Sequence, residues 1–278
     1  MWKLLEPLHA VTYFAPEAVD AFRSAGTKGF WMGYFGGRGA PMGEAGTALV
    51  GATFFNFARA MVARSVPDVW SISAPEALLE ARLSGATWAL RGLLGPLAES
   101  PQVSAAATLA RQAVDGLGTA GRPLAAANAA LPWPADDLSI LWQAATVVRE
   151  HRGDGHVATL VAHGLDGAQA HVSLAATGAV PRTVLQPNRG WTDQEWTDAE
   201  RALADRGWLD GHGRLTGPGT SGRAALEAAT DRLASDPWRR LGAADTQTLV
   251  DALVPLTRAV TASGVIPEMN PIGLPIEL

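Results

Sequence analysis

The sequence contains no cysteine, so disulfide bonds, thiolate metal sites and cysteine nucleophiles are excluded. Lysine occurs only at Lys3 and Lys28, and a net charge of −5 gives no bulk electrostatic attraction to nucleic acid. No run of about eighteen residues lacks a polar break, so no membrane-spanning helix is expected. The first residues, MWKLLEPLHAV, are interrupted too soon for a secretory signal, and we expect a cytoplasmic protein.

Apolar residues are abundant, at 47% of the 278 residues, which is enough for a sizeable core in one large or two ordinary domains. The segment 116–136 is rich in Gly, Pro and Ala and is the best candidate for a domain boundary. We therefore predict a helical domain over 1–132, a second domain over 133–242, and a C-terminal helix with an extended tail over 243–278.

The stretch 190–240 has the clearest local signals of the chain. Thr192 with Glu195 forms a capping box, which predicts a helix that begins at Asp193. Gly207 ends this helix, because glycine accepts the left-handed backbone conformation at low cost. The helix therefore leads directly into the segment that follows Gly207.

That segment has the composition of a hairpin followed by another helix. β-prone residues predict strands near 207–210 and 213–216, and the turn between them reads Asp-Gly-His-Gly. Helix, hairpin and helix in this order are typical of the second half of a winged helix, although any helix–hairpin–helix unit of an α+β domain also fits. We predict a mainly α fold with a helical N-terminal part and a C-terminal winged helix-turn-helix whose wing is a short β-hairpin.

The same region resembles a known family. The run RGWLDGHGRLTGPG is similar to the wing of MarR-type regulators. A longer pattern resembles the actinobacterial SalK-like helix-turn-helix family, through GFWMGYFGGRGAPMG, LWQAATVVREHRGDGHVA, GWTDQEW and NPIGLP. The resemblance covers most of the chain and implies a largely helical fold with a winged helix, but little about activity.

The helix that begins at Asp193 is the one that would enter DNA in such a fold. Phosphate and base contacts favour Arg, Lys, Asn or Gln, whereas this helix has five acids against Arg201 and Arg206. The acids are Asp193, Glu195, Asp198, Glu200 and Asp205. We therefore expect no DNA binding, unless arginines such as Arg182 and Arg189 line the same face.

The segment 29–43 combines aromatic residues with six glycines, which predicts a loop or a close backbone contact and not a regular element. A helix should follow over 44–65. The segment lacks the lysine and third glycine of nucleotide-binding loops. Its functional interpretation is a pocket wall with Tyr34 as apolar surface and Arg38 as polar anchor; the alternative is a packed loop with Arg38 in solvent.

The run from His151 to His156, HRGDGH, should interrupt a helix that begins near Asp137. In a functional interpretation, Arg152 binds an anionic ligand and Asp154 orients His156 for acid–base chemistry. In the alternative, Asp154 caps the following helix and pairs with a neighbouring arginine. No two histidines have the spacing of metal ligands, so no metal site is predicted.

The two halves of the chain are expected to meet at a pocket. Arginines within apolar segments must find carboxylates, carbonyls or an anionic ligand, because an unpaired buried charge is costly. The predicted ligand-binding residues are Tyr34, Arg38, Phe57, Arg64, Trp70 and Arg152, with His156 and Asp154 as the catalytic candidates.

These patterns favour a small-molecule-binding protein, with an enzyme of specialised metabolism as one form of it. Its ligand would be aromatic or anionic, no cofactor is identified, and the winged helix would serve as a scaffold or as the interface of a homodimer. The alternative is a ligand-responsive MarR-like DNA-binding regulator. A third interpretation is a non-catalytic partner protein that uses exposed tryptophans.

Overall fold

The computed structural model of the chain describes residues 1–275, and every regular element in this range is a helix. The α-helices are α1 (Trp2–Phe14), α2 (Pro16–Ser24), α3 (Phe30–Gly39), α4 (Thr47–Thr53), α5 (Arg59–Ala63), α6 (Asp68–Ile72), α7 (Pro75–Leu94), α8 (Pro101–Val114), α9 (Pro123–Ala129), α10 (Asp137–Ala162), α11 (Gly167–Ala175), α12 (Arg182–Arg189), α13 (Asp193–Asp205), α14 (Gly217–Leu233), α15 (Asp236–Leu241) and α16 (Ala243–Ala262). Short 3₁₀ helices span Ala40–Met42 and Gly95–Glu99. None of the helices within 1–275 combines the length and apolar character that crossing a membrane requires.

Helix α10 is the axis of the fold and is 26 residues long. Asp136 caps its first turn by accepting a hydrogen bond from the Ser139 amide. The helix packs against α1, α7, α8 and α9 and, further along, against α14. Trp142 in its first half is fully buried among leucines and alanines of the neighbouring helices. The long helix thus joins the N-terminal helices to the helix-turn-helix region.

The predicted interruption of α10 at 151–156 is wrong, because the helix continues through both of the glycines in this run. A β-carbon on Gly155 would lie 2.8 Å from Nη1 of Arg122 and 3.2 Å from Cβ of Leu233. The glycine therefore allows two other segments to approach the helix closely. A close contact, and not a helix break, explains this residue.

Residues 30–39 also form a helix, α3, so the prediction of a non-helical segment is wrong while the predicted close contact is confirmed. A β-carbon on Gly33 would lie 2.9 Å from Cβ of Phe22, and one on Gly37 would lie 2.3 Å from the Phe22 ring. Glycine is required at both positions because the Phe22 side chain of α2 packs directly against the backbone of α3. The helix tolerates its low glycine propensity because tertiary packing stabilises it.

A continuous helix over 44–65 was expected, but the structure has two short helices, α4 and α5. The amide of Ala58, between them, donates to the carbonyl oxygen of Arg189 at 2.9 Å. This contact joins the break to the end of α12. The break therefore places the aromatic residues Phe54, Phe55 and Phe57 against the second half of the chain.

The predicted β-hairpin wing is wrong: residues 1–275 contain no strand, and an isolated antiparallel bridge joins Leu209 to Leu215. The carboxylate of Asp210 accepts hydrogen bonds from the amides of His212 and Arg214. Thr216 already caps α14 by accepting from the Gly219 amide. The Asp210 side chain holds the turn and α14 begins at Gly217, so pairing across the turn consists of the two backbone hydrogen bonds of this bridge, from the Asp210 amide to Arg214 and from the Thr216 amide to Trp208. The mainly α part of the prediction is confirmed.

The capping box is confirmed in detail. Oγ1 of Thr192 accepts from the Glu195 amide at 3.2 Å, and the Glu195 carboxylate accepts from the Thr192 amide at 2.8 Å. Helix α13 begins at Asp193, as predicted, and packs on α11 through buried Trp196. These helices and α12 form the helix-turn-helix region.

The tail after α16 is non-helical over 264–275, as predicted, and residues 276–278 of the predicted tail lie outside the described residues. The buried Asn270 side chain donates to the Leu274 carbonyl and accepts from the Leu274 amide. This pair of bonds fixes the turn that returns the tail to the protein surface. The division of the chain into domains at 132 and 242 stays a prediction.

Candidate functional site

A cavity lies between α1, α3, α10, α11, α14 and the tail, and encloses about 1370 Å³ of empty space including its mouth. We call it the central cavity. Six of the residues predicted as ligand-binding or catalytic line it: Tyr34, Arg38, Phe57, Arg152, Asp154 and His156. Long helix α10 contributes the last three, and the break between α4 and α5 contributes Phe57.

The structure places the two other predicted residues elsewhere. Arg64 is exposed at the end of α5. Trp70 is half-buried, and its indole nitrogen donates to the carbonyl oxygen of Ala45 at 2.9 Å. Neither residue lines the central cavity, because the turn after α4 directs the α5–α6 segment away from it.

A buried cluster of charges forms one side of the central cavity. Arg38 binds Glu150 through two hydrogen bonds, Nε to Oε1 and Nη2 to Oε2, each 2.9 Å long. Arg149 donates to the same Oε1 at 2.8 Å and lies 3.6 Å from Oε1 of Glu6. Two arginines and two buried carboxylates thus meet at the cavity wall, and bidentate geometry holds Arg38 in place.

The two carboxylates of this cluster differ in protonation behaviour. Burial raises the pKa of Glu6, whose Oε2 has no hydrogen-bond partner. Burial also acts on Glu150, but Arg149 and Arg38 outweigh it and hold the Glu150 pKa well below its usual range. Glu150 is therefore the ionised centre of the cluster. Glu6 lies within an apolar run of the sequence, LLEPL, which is a signal that sequence analysis missed, whereas Glu150 lies in the polar run REHR and its burial has no such signal.

Arg189 also lines the cavity and has no carboxylate within salt-bridge distance in the part of the chain that the structure describes. It is 9% exposed. Nη2 donates to the carbonyl oxygen of Pro271 at 2.6 Å and Nη1 to that of Asn188 at 3.1 Å, while Nε has no partner. The guanidinium lies 4.7 Å from the ring centre of Phe57. Burial lowers the pKa of Arg189 to about 10.

His171 also lines the cavity and presents a hydrogen-bond donor. Its Nδ1 lies 3.1 Å from Nε1 of Trp191, and an indole nitrogen can only donate. Nδ1 must therefore accept, which places the proton of the neutral ring on Nε2. Burial lowers the pKa of His171 well below its usual value, so the ring is neutral at pH 7.

His156 presents the opposite tautomer. The hydroxyl of Thr230 donates to the carbonyl oxygen of Leu226 at 2.9 Å, so its oxygen accepts from Nδ1 of His156, also at 2.9 Å. The lone pair of the neutral ring is then on Nε2. Burial lowers the pKa of His156 to about 4, so this nitrogen is an unprotonated acceptor at pH 7.

Asp154 does not orient His156. Its Oδ2 accepts from the amide of Ala125 at 2.9 Å, so it holds the first turn of α9 instead. The alternative prediction, a cap for the helix that follows, is also wrong because Asp154 lies inside α10. Burial raises the pKa of Asp154 to about 6. Arg152 lies 3.3 Å from Asp231 on α14.

The outer face of α13 has its cations paired. Arg182 lies 2.7 Å from Asp193, and Arg201 lies 2.9 Å from Asp198. Arg206 donates to the carbonyl oxygen of His163 at 2.6 Å. Arg189, the other arginine named in the sequence analysis for this face, is buried at the cavity. The acids of α13 therefore dominate this surface.

The chain matches a family model described as a helix-turn-helix family over residues 1–267. No curated protein and no solved structure matches it. The finer resemblance to SalK-like and MarR-type proteins stays a prediction. Because the match spans almost the whole sequence, the chain belongs to this helix-turn-helix family.

Proposed function

We propose that the protein binds an anionic small molecule with an aromatic part in the central cavity. Five arginines line the cavity, and neighbouring carboxylates pair four of them: Glu150 pairs with Arg38 and Arg149, and Glu227 with Arg152 and Arg223. Arg189 is the exception. The observation that carries the proposal is this buried cation, which lacks a carboxylate and has a free Nε.

An anionic group beside Arg189 would supply the missing countercharge. A buried guanidinium without a carboxylate costs free energy, and charge-assisted hydrogen bonds are among the stronger polar contacts in proteins. The ring of Phe57 lies under the guanidinium, and Tyr34 lies 5.4 Å from Phe57. These rings favour a ligand whose acid is attached to an aromatic group.

The two histidines define a second feature of the ligand. His171 offers an N–H and His156 offers a lone pair, so a hydroxyl or a carbonyl on the ligand finds a matching partner. His156 is also the residue on which catalysis would depend, as a proton acceptor. A base with a pKa of about 4 is weak at pH 7, and for this reason we place binding ahead of catalysis.

A ligand-responsive DNA-binding regulator is the second candidate, and membership of a helix-turn-helix family favours it. The paired cations and exposed acids of α13 oppose it, since phosphate contacts require free positive groups. The two candidates share the ligand site and differ in whether α13 contacts DNA.

Thermal unfolding with hydroxynaphthoic acids and their neutral amides tests the proposal. A ligand at about 100 times its Kd should stabilise the parent by about 2.7 kcal/mol. Arg189→Met should abolish the shift. Arg182→Met, which removes an exposed arginine from the same helix, should leave it unchanged. Equal shifts with acid and amide, or an undiminished response of Arg189→Met, would overturn the proposal.

A further inference from the structure

We infer a second ligand site, separate from the central cavity, that takes a single-ring aromatic carboxylate. A smaller cavity lies between α1, α2 and α3 and encloses about 580 Å³ of empty space including its mouth. We call it the small cavity. The residues that carry the inference are Thr12, Tyr13, Phe22, Phe30, Tyr34 and Arg82. Tyr34 and Arg38 line both cavities and form the wall between them.

Arg82 is a second buried cation without a carboxylate within salt-bridge distance among residues 1–275. It is 4% exposed. Nη1 donates to the carbonyl oxygen of Gly37 at 3.3 Å and Nη2 to Oδ1 of Asn128 at 3.0 Å, both neutral acceptors. Nε has no partner. The guanidinium lies 5.5 Å from the ring centre of Trp142, so its charge has an aromatic neighbour but no paired carboxylate, and one donor has no acceptor.

Thr12 supplies a second unmatched polar group in the same lining. It is 5% exposed, and its hydroxyl has no hydrogen-bond partner. A threonine inside a helix usually donates to the carbonyl four residues earlier, as Thr146 does to Trp142. A carboxylate can accept from Nε–H of Arg82 with one oxygen and from the Thr12 hydroxyl with the other. One group thus satisfies both residues.

Other polar side chains of this cavity already have hydrogen-bond partners. The hydroxyl of Thr146 donates to the Trp142 carbonyl, so its oxygen can only accept from His9. Nδ1 of His9 therefore donates to Thr146 at 3.0 Å. Nε2 of His9 then accepts from the Tyr13 hydroxyl, also at 3.0 Å. Glu150 is held by its arginines. The buried polar atoms of this lining that have no partner are Nε of Arg82 and Oγ1 of Thr12, which points to a ligand with a single polar end.

The walls favour a flat ring for the other end. The rings of Tyr13 and Tyr34 lie 5.0 Å apart, and that of Phe30 lies 6.2 Å from Tyr34. Phe22 packs against α3 on a further side. Phe30 is 40% exposed and lies at the mouth, which gives the ring a route of entry. The small cavity is the tighter of the two, which favours a single ring, whereas the central cavity has room for more.

The test uses 4-fluorobenzoate as the probe and fluorine NMR as the measurement, because weak binding changes its line width directly. Arg189→Met provides the background, since it removes the unmatched cation of the central cavity and leaves the small cavity intact. We expect 4-fluorobenzoate to bind in this background. Adding Thr12→Val, which removes the hydroxyl at nearly constant shape, should weaken binding at least tenfold. Arg82→Met should do the same, and 4-fluorobenzamide should bind at least tenfold more weakly.

The outcomes separate this inference from the proposed function. Loss of all fluorobenzoate binding in Arg189→Met would overturn the second site and leave the central site standing. Binding that survives Thr12→Val at full strength would also overturn it. Should Arg82→Met fail to fold, Thr12→Val still decides, because an unpartnered buried hydroxyl stabilises nothing in the empty protein and its removal should raise Tm. A raised Tm together with weaker binding is the signature expected of a binding residue.

Discussion

Arg189 and Pro271 are joined by a 2.6 Å hydrogen bond that connects the end of α12 to the tail, 82 residues later in the chain. Pro271, Ile272 and Gly273 line the central cavity, so the tail is one of its walls. The same guanidinium that we assign to the ligand therefore also positions part of the site. Under the proposed function, recognition of the ligand and closure of the cavity would depend on one side chain.

Replacing Arg189 with methionine should loosen the tail. Without the bond to Pro271, hydrogen exchange at the Gly273 and Leu274 amides should accelerate about tenfold, since these amides are protected only while the turn stays docked. Arg182→Met should leave their exchange unchanged. Mass spectrometry of the C-terminal peptide measures both. Unaltered exchange in Arg189→Met would show that Asn270 alone holds the tail.

The parts of the fold that local chemistry determines could be predicted from sequence. The capping box at Thr192 placed the start of α13, and prolines indicated a non-helical tail. Long-range contacts overruled the local signals elsewhere. Gly37 suggested a loop but is required by the Phe22 ring, and Asp210 suggested a strand turn but closes a loop with its own side chain. Tertiary neighbours, which a sequence does not display, decided these cases.

The residues of the candidate site could likewise be predicted from the sequence only in part. Apolar segments with isolated arginines led to Arg38 and Arg152, which line the central cavity. Arg64 has the same local pattern but is exposed, because a break in the chain precedes its helix. His171 and Arg189 were not predicted as ligand residues, since their roles depend on Trp191 and on the tail. The contacts that led us to propose both residues involve partners 20 and 82 positions away in the chain.

Stability should fall between pH 6.5 and 4. Burial lowers the pKa of four histidines, those of His151 and His156 to about 4: His9, His151, His156 and His171. In this range the unfolded chain binds protons that the folded chain does not, so unfolding becomes easier as pH falls. Glu6 and Asp154 have raised pKa values and oppose the trend, but they are fewer.

His156→Gln should flatten this pH dependence. With a folded pKa of about 4 against 6.5, the residue accounts for at most about 2 kcal/mol of the unfolding free energy lost between pH 7.5 and 5. Urea titrations at both pH values measure the difference, with the exposed His212→Gln as control. If parent and His156→Gln lose the same unfolding free energy between pH 7.5 and 5, His156 takes up its proton in the folded state at the same pH as in the unfolded chain.

Replacing each of two helical glycines with alanine should change the stability of the protein in opposite directions. A β-carbon on Gly153 would meet Oε2 of Glu150 at 3.7 Å, an ordinary contact, so Gly153→Ala should stabilise the protein by up to about 1 kcal/mol. On Gly37 it would lie 2.3 Å from the Phe22 ring, so Gly37→Ala should destabilise by about 1–3 kcal/mol. Urea midpoints give both signs. Stabilisation by both changes would contradict the packing of α3 on α2.

DNA binding should be negligible at physiological salt. The cations nearest the exposed face of α13 are held by acids of the same region, Arg182 by Asp193 and Arg201 by Asp198. Most non-specific affinity comes from counterions released when free cations neutralise phosphates, and paired arginines release few. A mobility-shift titration against genomic fragments should therefore show no complex below about 10⁻⁶ M protein.

A double variant of α13 tests whether its acidic residues are what prevents this helix from binding DNA. Asp193→Asn with Asp198→Asn frees Arg182 and Arg201 while retaining amides that support the first turns. If the acids alone prevent contact, the double variant should gain weak, salt-dependent binding, because each freed arginine can neutralise a phosphate. Sequence-specific binding of the parent tighter than about 10⁻⁷ M would reverse the conclusion, since it exceeds ordinary non-specific affinity. The regulator would then become the better description, and the central cavity would be its effector site.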